Sequence, residues 1–151
     1  FQKLNFRRLW IDHKYLTLIP MYEAEVASIR DVYNDGRSSP PIPRNVPSIA
    51  GRILWIRQLC RCIEEPMEIF RRREKVIAHP RMQKSIKMYN ALLNVFTHYE
   101  MIYHKAWYDS AVVVRMALNS PLLLKDPRTN KYIVNFDPYI HQLLREAEYI
   151  A

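Results

Sequence analysis

Glycine is almost missing from this chain, with 2 in 151 residues. Glycine is the residue that tight turns and left-handed backbone call for, so its scarcity suits long helices. Cysteine is as rare, and Cys60 and Cys62 are the only two. At about 100° per residue their side chains point about 200° apart on a helix, which rules out a disulfide between them. Two thiols in a chain of this size suit a reducing compartment. No nearby cluster completes a Cys-x-Cys metal site, so both cysteines read as buried, apolar side chains. The apolar runs reach only four or five residues, far short of the ~20 a membrane span needs. Neither Gly36 nor Gly51 lies in a G-x-x-x-x-G-K-[ST] loop, and there is no H-E-x-x-H and no G-x-S-x-G. A P-loop nucleotide site is thereby excluded. The expected catalytic, cofactor-binding and metal-binding sets are all empty. No signal sequence is visible and the chain begins at Phe1, not Met; it reads as a segment of a longer protein.

What is present points to a packed core. Apolar residues make up 49% and aromatics 12%, too much for a disordered chain. The length suffices for one domain or a piece of a larger one. The net charge of +8 permits an acidic partner (nucleic acid, tubulin or an acidic subunit) and equally permits a solvated basic surface.

The stretch from Pro40 to Pro66 organises the chain. Four prolines between 40 and 47 predict an extended, polyproline-like arm. It feeds a helix capped by Ser48, in which Gly51 allows another backbone to approach closely. Trp55, Ile56, Leu59, Cys60, Cys62 and Ile63 are expected on one face, with Arg57, Gln58, Arg61, Glu64 and Glu65 on the other and Leu54 as the exception. Pro66 is expected to stop this helix.

Upstream, residues 1–20 (Phe1, Leu4, Phe6, Leu9 and Trp10 among them) read as a partly helical amphipathic stretch ending at Pro20. A second helix over 21–33 ends at Asn34-Asp35-Gly36. Downstream, a helix over 67–78 breaks near Pro80. From Arg81 to Asn119 there is neither proline nor glycine. Positions 82, 86, 89, 93, 96, 100, 103, 107, 110, 114 and 117 keep an alternating 4–3 spacing and are apolar or aromatic except Glu100 and Ser110. That spacing predicts one helix of about 60 Å with a packed seam. Residues 122–136 read as a β-hairpin with a turn at Asp126-Pro127. Asp137, with Pro138 behind it, caps a last helix. The expected fold is mainly α: an elongated helical bundle with one long helix (81–119) and a small β-hairpin (122–136). Its subdivisions are 1–39, the N-terminal helices; 40–66, the proline arm and organising helix; 67–119, the long helices; and 120–151, the hairpin and terminal helix.

Three groups could carry chemistry. Glu100 and His104, one turn apart, could share a metal, but the Glu-x-x-His of a di-iron bundle does not recur on a second helix. Phe96, Tyr99, Tyr103, Trp107 and Tyr108 could stack on a single-stranded nucleic acid; Phe96, Tyr103 and Trp107 fall on the seam, which favours core packing, while Tyr99, Tyr108 and Val112-Val113 lie off it. Arg71, Arg72, Arg73, Lys75, Arg81, Lys84 and Lys87 form a basic cluster opposed by Glu74, read either as a dock for an acidic surface or as a solvated helix face. Gly51, Trp55, Leu59, Tyr103, Trp107 and Asp137 are the expected structural positions.

Several ordered motifs resemble dynein heavy-chain tails, axonemal more than cytoplasmic. They are P-P-x-x-R-N-x-P from Pro40, A-G-R-I-L-W-x-R-Q-L from Ala50 and I-E-E-P-M from Ile63. Tyr89-Asn90, Tyr99-Glu100 and Ala106-Trp107 follow in order, then Pro121-Leu122-Leu123, Val134-Asn135-Phe136-Asp137 and Leu143-Leu144-Arg145-Glu146-Ala147. One departure is Asn130, where the family's hairpin loop usually has Gly; Asn tolerates left-handed backbone. The resemblance implies a non-catalytic helical segment of a tail that stacks heavy chains and carries intermediate and light chains. The ATPase ring would lie far C-terminal, and the implied location is the cytoskeleton of a ciliary or flagellar axoneme. Implied partners are other heavy chains, intermediate and light chains, and a docking complex or doublet microtubule, with no membrane. The rivals are a basic helical nucleic-acid-binding domain and a free-standing helical adaptor.

Overall fold

The computed structural model describes residues 2–135 and 137–151, with Ala117 described by its backbone alone. Phe1 and Phe136, the expected ends of the first helix and the hairpin, lie outside the described residues, as does the side chain of Ala117 on the expected seam. In chain order the elements are α1 (Gln2–Gly36), α2 (Ser48–Arg71), α3 (Glu74–Ile77), α4 (Pro80–Ala117), β1 (Leu123–Lys125), β2 (Tyr132–Val134) and α5 (Pro138–Ile150). The mainly α architecture with one long helix and a small antiparallel hairpin is as the sequence predicts.

Two prolines expected to end helices do not. α1 passes through Pro20 and α2 through Pro66. An interior proline forfeits a backbone bond and costs ~3 kcal/mol or more. The residues around each one offset that cost. Ile19, Tyr22, Val26, Ile29 and Tyr33 are buried along α1, and Ile63, Met67 and Phe70 along α2. Burying a large apolar side chain contributes about 1.5–3 kcal/mol, so each packed stripe outweighs its proline. The helix expected over 67–78 is therefore the end of α2 followed by the single turn of α3. Pro80 opens α4, where a missing N–H costs nothing.

The chain forms two compact units: residues up to Pro41 together with Ile56–His98, and Ile42–Trp55 together with Tyr99–Ala151. Both α2 and α4 contribute to each. In the first unit, ring contacts tie Tyr22 to Phe70 (5.5 Å between centroids) and Tyr33 to Phe96 (5.2 Å). The α4 residues buried there are Met82, Ser85, Tyr89, Leu92 and Phe96. The expected 4–3 seam is thus shifted at alternate positions: Ser85 and Leu92 go under where Ile86 and Leu93 were expected. Ser85 tolerates burial because its hydroxyl donates to Glu23 Oε1 at 2.8 Å, which satisfies a group that would otherwise be costly to desolvate.

In the second unit, Ala50, Ile53 and Ile150 form a core against which Val46, Ile49, Tyr103, Trp107 and Tyr149 pack. The proline arm is not extended throughout. The Val46 N–H returns to the Pro43 carbonyl at 3.0 Å, closing a turn over Arg44 and Asn45, and asparagine favours such a turn. The Pro47 carbonyl takes the first helical bond, from the Gly51 N–H at 2.8 Å, so Ser48 lies inside the first turn of α2 and does not cap it. The close neighbour of Gly51 is a side chain, not a backbone: a Cβ there would sit 2.3 Å from Ile42 Cγ2. Cys60 is half-buried and Cys62 exposed, neither in a disulfide, against the expectation that both are buried. At 100° per residue Cys62 lies about 90° from the centre of the stripe formed by Ile56, Leu59 and Ile63.

β1 and β2 pair antiparallel in the register Leu123↔Val134, Leu124↔Ile133, Lys125↔Tyr132. In the loop Asp126 accepts from the Arg128 N–H and the Thr129 hydroxyl, both at 2.9 Å, and these bonds, the backbone one foremost, hold its carboxyl below the ordinary range. Asn130 adopts φ 56°, left-handed backbone that asparagine tolerates. Asp137 is extended and accepts from the Tyr139 N–H at 2.9 Å, with Pro138 at the first helical position of α5.

Candidate interaction surfaces

The basic cluster is divided by its local geometry. Arg71 turns back along α2 to Glu68 (2.6 Å) and lies over the Tyr89 ring at 5.4 Å; the hydrogen bond to Glu68 holds its guanidinium above the usual pKa. Glu68 is thus an opposing charge that the expected cluster omitted. Arg73 stacks on Tyr15 at 5.2 Å. Arg72, Arg73, Glu74 and Lys75 line one wall of a cleft of about 510 Å³, and Asn5, Arg8, Leu9 and Asp12 line the other. Arg81 and Lys84, exposed on the first turns of α4, do not line it. The α1 residues Arg8 and Asp12 enter because α1 runs on past Pro20, and no local signal near residue 72 announces them.

A second polar cleft, about 400 Å³, lies in the other unit between the turn at Arg44, Asn45, Val46 and Pro47 and the start of α5, with Pro138, His141, Gln142 and Arg145. Arg145 Nη2 donates to the Asn45 carbonyl at 3.1 Å, across 100 positions of sequence. Glu146, on the same helix, is 2% exposed and accepts from Gln142 Nε2 at 3.4 Å.

The aromatic run is mostly structural. Trp55 is 8% exposed and meets Tyr99 edge-on at 5.8 Å. Tyr99, expected off the seam, is buried because Trp55 supplies its partner. Arg52 Nη1 donates to the Tyr99 and Tyr103 hydroxyls, each at 3.2 Å, and lies over the Tyr103 ring. Burial raises the Tyr99 phenol pKa, and the Arg52 bond opposes that rise. Leu59 is buried, Tyr103 and Trp107 are half-buried, and Tyr108 is exposed. The Trp107 indole N–H is buried without an acceptor among the described residues. Glu100 and His104 approach at 3.5 Å, and among the described residues no group of three His, Cys, Asp or Glu side chains is placed to hold a metal ion. No described helix is long and apolar enough to cross a membrane.

Large apolar side chains stay exposed in both units. On α1 they include Leu4, Phe6, Leu9, Trp10, Leu18 and Met21; on α4 they include Met101, Ile102, Tyr108, Val112, Val113 and Met116. Both hairpin strands are exposed throughout.

Residues 1–151 match the family described as dynein heavy chain, N-terminal region 1. The chain is 37% identical over 150 residues to the human dynein axonemal heavy chain 8, covering 98% of this chain and 3% of that one. It is 36% identical over 140 residues to the dynein gamma chain of the flagellar outer arm of Chlamydomonas reinhardtii, covering 93% and 3%. To the mouse dynein axonemal heavy chain 5 it is 35% identical over 148 residues, covering 98% and 3%. The chain therefore spans about 3% of the length of these relatives. With the family match running over every residue, the chain belongs to the dynein heavy chains, as part of their N-terminal region 1.

Proposed function

We propose that residues 1–151 are a non-catalytic structural and assembly segment of an axonemal dynein heavy-chain tail. The segment helps hold heavy chains together and docks intermediate and light chains. Through them, and through a docking complex or doublet microtubule, it anchors the motor in the axoneme. The ATPase ring of the parent motor lies outside these residues. One observation carries the reading: a row of large apolar side chains, Met101, Ile102, Tyr108, Val112, Val113 and Met116, stands exposed along the second half of α4. Apolar surface of that extent marks an interaction face. The resemblance to axonemal and flagellar outer-arm chains supports the axonemal location.

The basic cleft supplies the charged part of the same role. Heavy-chain complexes carrying Arg71→Gln, Arg72→Gln and Arg73→Gln are expected to lose an accessory chain or a neighbouring heavy chain at lower salt than the parent complex, because exposed charge attraction is screened by ions. Identical subunit composition at every salt concentration would leave these arginines as a solvated face.

A further inference from the structure

The hairpin is built for burial, yet nothing among the described residues buries it. A strand's successive side chains point to opposite faces, so Leu123, Lys125, Tyr132 and Val134 share one face and Leu124 and Ile133 the other. A strand apolar on both faces belongs inside a layered sheet, but the five apolar strand residues are 41–73% exposed. The sheet has only these two strands among the described residues, and an isolated two-stranded hairpin is marginally stable at best.

The hydrogen bonds say which backbone groups are open. Asp126 N–H bonds the Lys131 carbonyl at 2.8 Å, and Asn135 N–H bonds the Leu122 carbonyl at 2.7 Å. In an antiparallel ladder bonded and non-bonded pairs alternate. Leu124 and Ile133, midway between those two bonds, are therefore the inward-bonded pair. The N–H and C=O groups of Tyr132 and Val134 point out of the β2 edge, and those of Leu123 and Lys125 out of the β1 edge. Natural edges are commonly blunted by a lysine. β1 carries Lys125; β2 carries only Tyr132, Ile133 and Val134.

We propose that the β2 edge accepts an added strand from a separate, acidic polypeptide, an accessory subunit of the dynein complex, so that a three-stranded sheet forms; this rests on the assembly reading above. Backbone pairing at Tyr132 and Val134 fixes the strand, and its apolar side chains pack on Ile133 on one face and on Tyr132 and Val134 on the other. Charge selects the partner. Lys125, Arg128 and Lys131 are exposed around the loop, while the one acidic group there, Asp126, is engaged by Arg128 and Thr129. A second copy of this basic segment (+8) is the wrong sign, and a strand flanked by Asp or Glu is the right one.

Hydrogen exchange on the full heavy chain, alone and in the assembled complex, tests this. The outward amides of Tyr132 and Val134 are expected to exchange fast in the heavy chain alone and about tenfold or more slowly in the complex. Fast exchange in both states overturns the proposal. Slow exchange already in the heavy chain alone overturns it too, since the strand then comes from the same chain. Val134→Pro removes one outward donor but keeps an apolar ring at a position where an edge strand accepts proline. It is expected to weaken retention of the strand-donating subunit about three- to tenfold, the loss of about one hydrogen bond, with the inward Ile133 amide still protected. Should Ile133 lose protection, Val134→Lys, which leaves the backbone intact, takes its place with the same expected loss. Unchanged retention in the variant whose hairpin persists overturns strand addition. If every subunit stays on a heavy chain lacking residues 1–151, the assembly reading itself fails; subunits lost on that deletion but retained by the edge variant sink only the added strand.

Discussion

The Tyr22 hydroxyl donates a 2.9 Å hydrogen bond to the Ile63 carbonyl, one position beyond the carbonyl that Pro66 leaves without its helical donor. The turn from which proline takes a donor is thus given one by a residue 41 positions earlier. Tyr22 is buried, with its ring on Phe70, so its hydroxyl has no water to fall back on. Tyr22→Phe is expected to cost about 1–2 kcal/mol and to lower the melting temperature by a few degrees. An unchanged melt would mean that α2 passes Pro66 without help from α1.

The same phenol sets a limit at alkaline pH. Burial, foremost, holds the pKa of Tyr22 above the ordinary phenol value of 10.0, and burial likewise raises those of Tyr89 and Tyr99. The folded state therefore keeps protons that the unfolded chain releases, and stability falls wherever the unfolded state binds fewer protons than the folded one. Stability is expected to be insensitive to these groups below about pH 10 and to decline above it. Melting curves between pH 8 and 11 check this, and Tyr22→Phe should flatten the decline.

Much of this fold is readable from local pattern. The absence of glycine and proline from Arg81 to Asn119 marks α4, Asp137-Pro138 marks the start of α5, and the β-rich flanks of Asp126-Pro127 mark the hairpin. The errors fall where a distant partner decides. Pro20 and Pro66 look like stops because their cost is local and the burial that outweighs it is not. Ile86 and Leu93 look like seam residues until Glu23 arrives to satisfy Ser85. The basic cluster reads as one patch until Arg71 turns to Glu68 and α1 brings Arg8 and Asp12 opposite Arg72 and Lys75. The Arg44–Arg145 cleft is assembled from segments 100 residues apart, with no signal in either alone.

Gly51 tests how tightly the arm is seated. Alanine is favoured over glycine in a helix by about 1 kcal/mol, but its Cβ would stand 2.3 Å from Ile42 Cγ2. Ile42 is β-branched and stiff at χ1, so it cannot swing aside without moving the arm. Gly51→Ala is expected to destabilise by about 1–3 kcal/mol through overpacking. In an Ile42→Ala background the same change should become neutral or stabilising, a coupling a double-mutant cycle reads directly. Additive effects would show that the two groups do not meet.

Trp55 anchors α2 to α4 within the second unit through its edge contact with Tyr99. Trp55→Ala removes a nearly buried indole and is expected to cost about 3–5 kcal/mol, a large part of a domain's usual margin of about 5–15 kcal/mol. The Arg52 bonds to Tyr99 and Tyr103 should loosen with it, visible as faster exchange of amides near residue 100. A melt that does not move would remove the organising role from this helix.

The excised segment is not expected to behave as a monomer. Tyr99 has found Trp55, so the surface in need of a partner is narrower than the seam spacing implies. The rest of that face remains open: Val113 and Met116 are 68% and 77% exposed, Met101 63%, and the hairpin adds its own apolar strands. On the sequence side this was legible as apolar residues lying off the seam; the structure leaves them without cover among the described residues. Leaving such side chains in water forfeits about 25 cal/mol per Å² of apolar surface, a driving force for association in any segment purified without its neighbours. Sedimentation of residues 1–151 should therefore show concentration-dependent oligomers. Substituting Val113 and Met116 by Lys should shift the distribution toward monomer with little loss of stability, because neither side chain is part of a core. A single monomeric species with a sharp, cooperative melt would show instead that the segment is complete in itself.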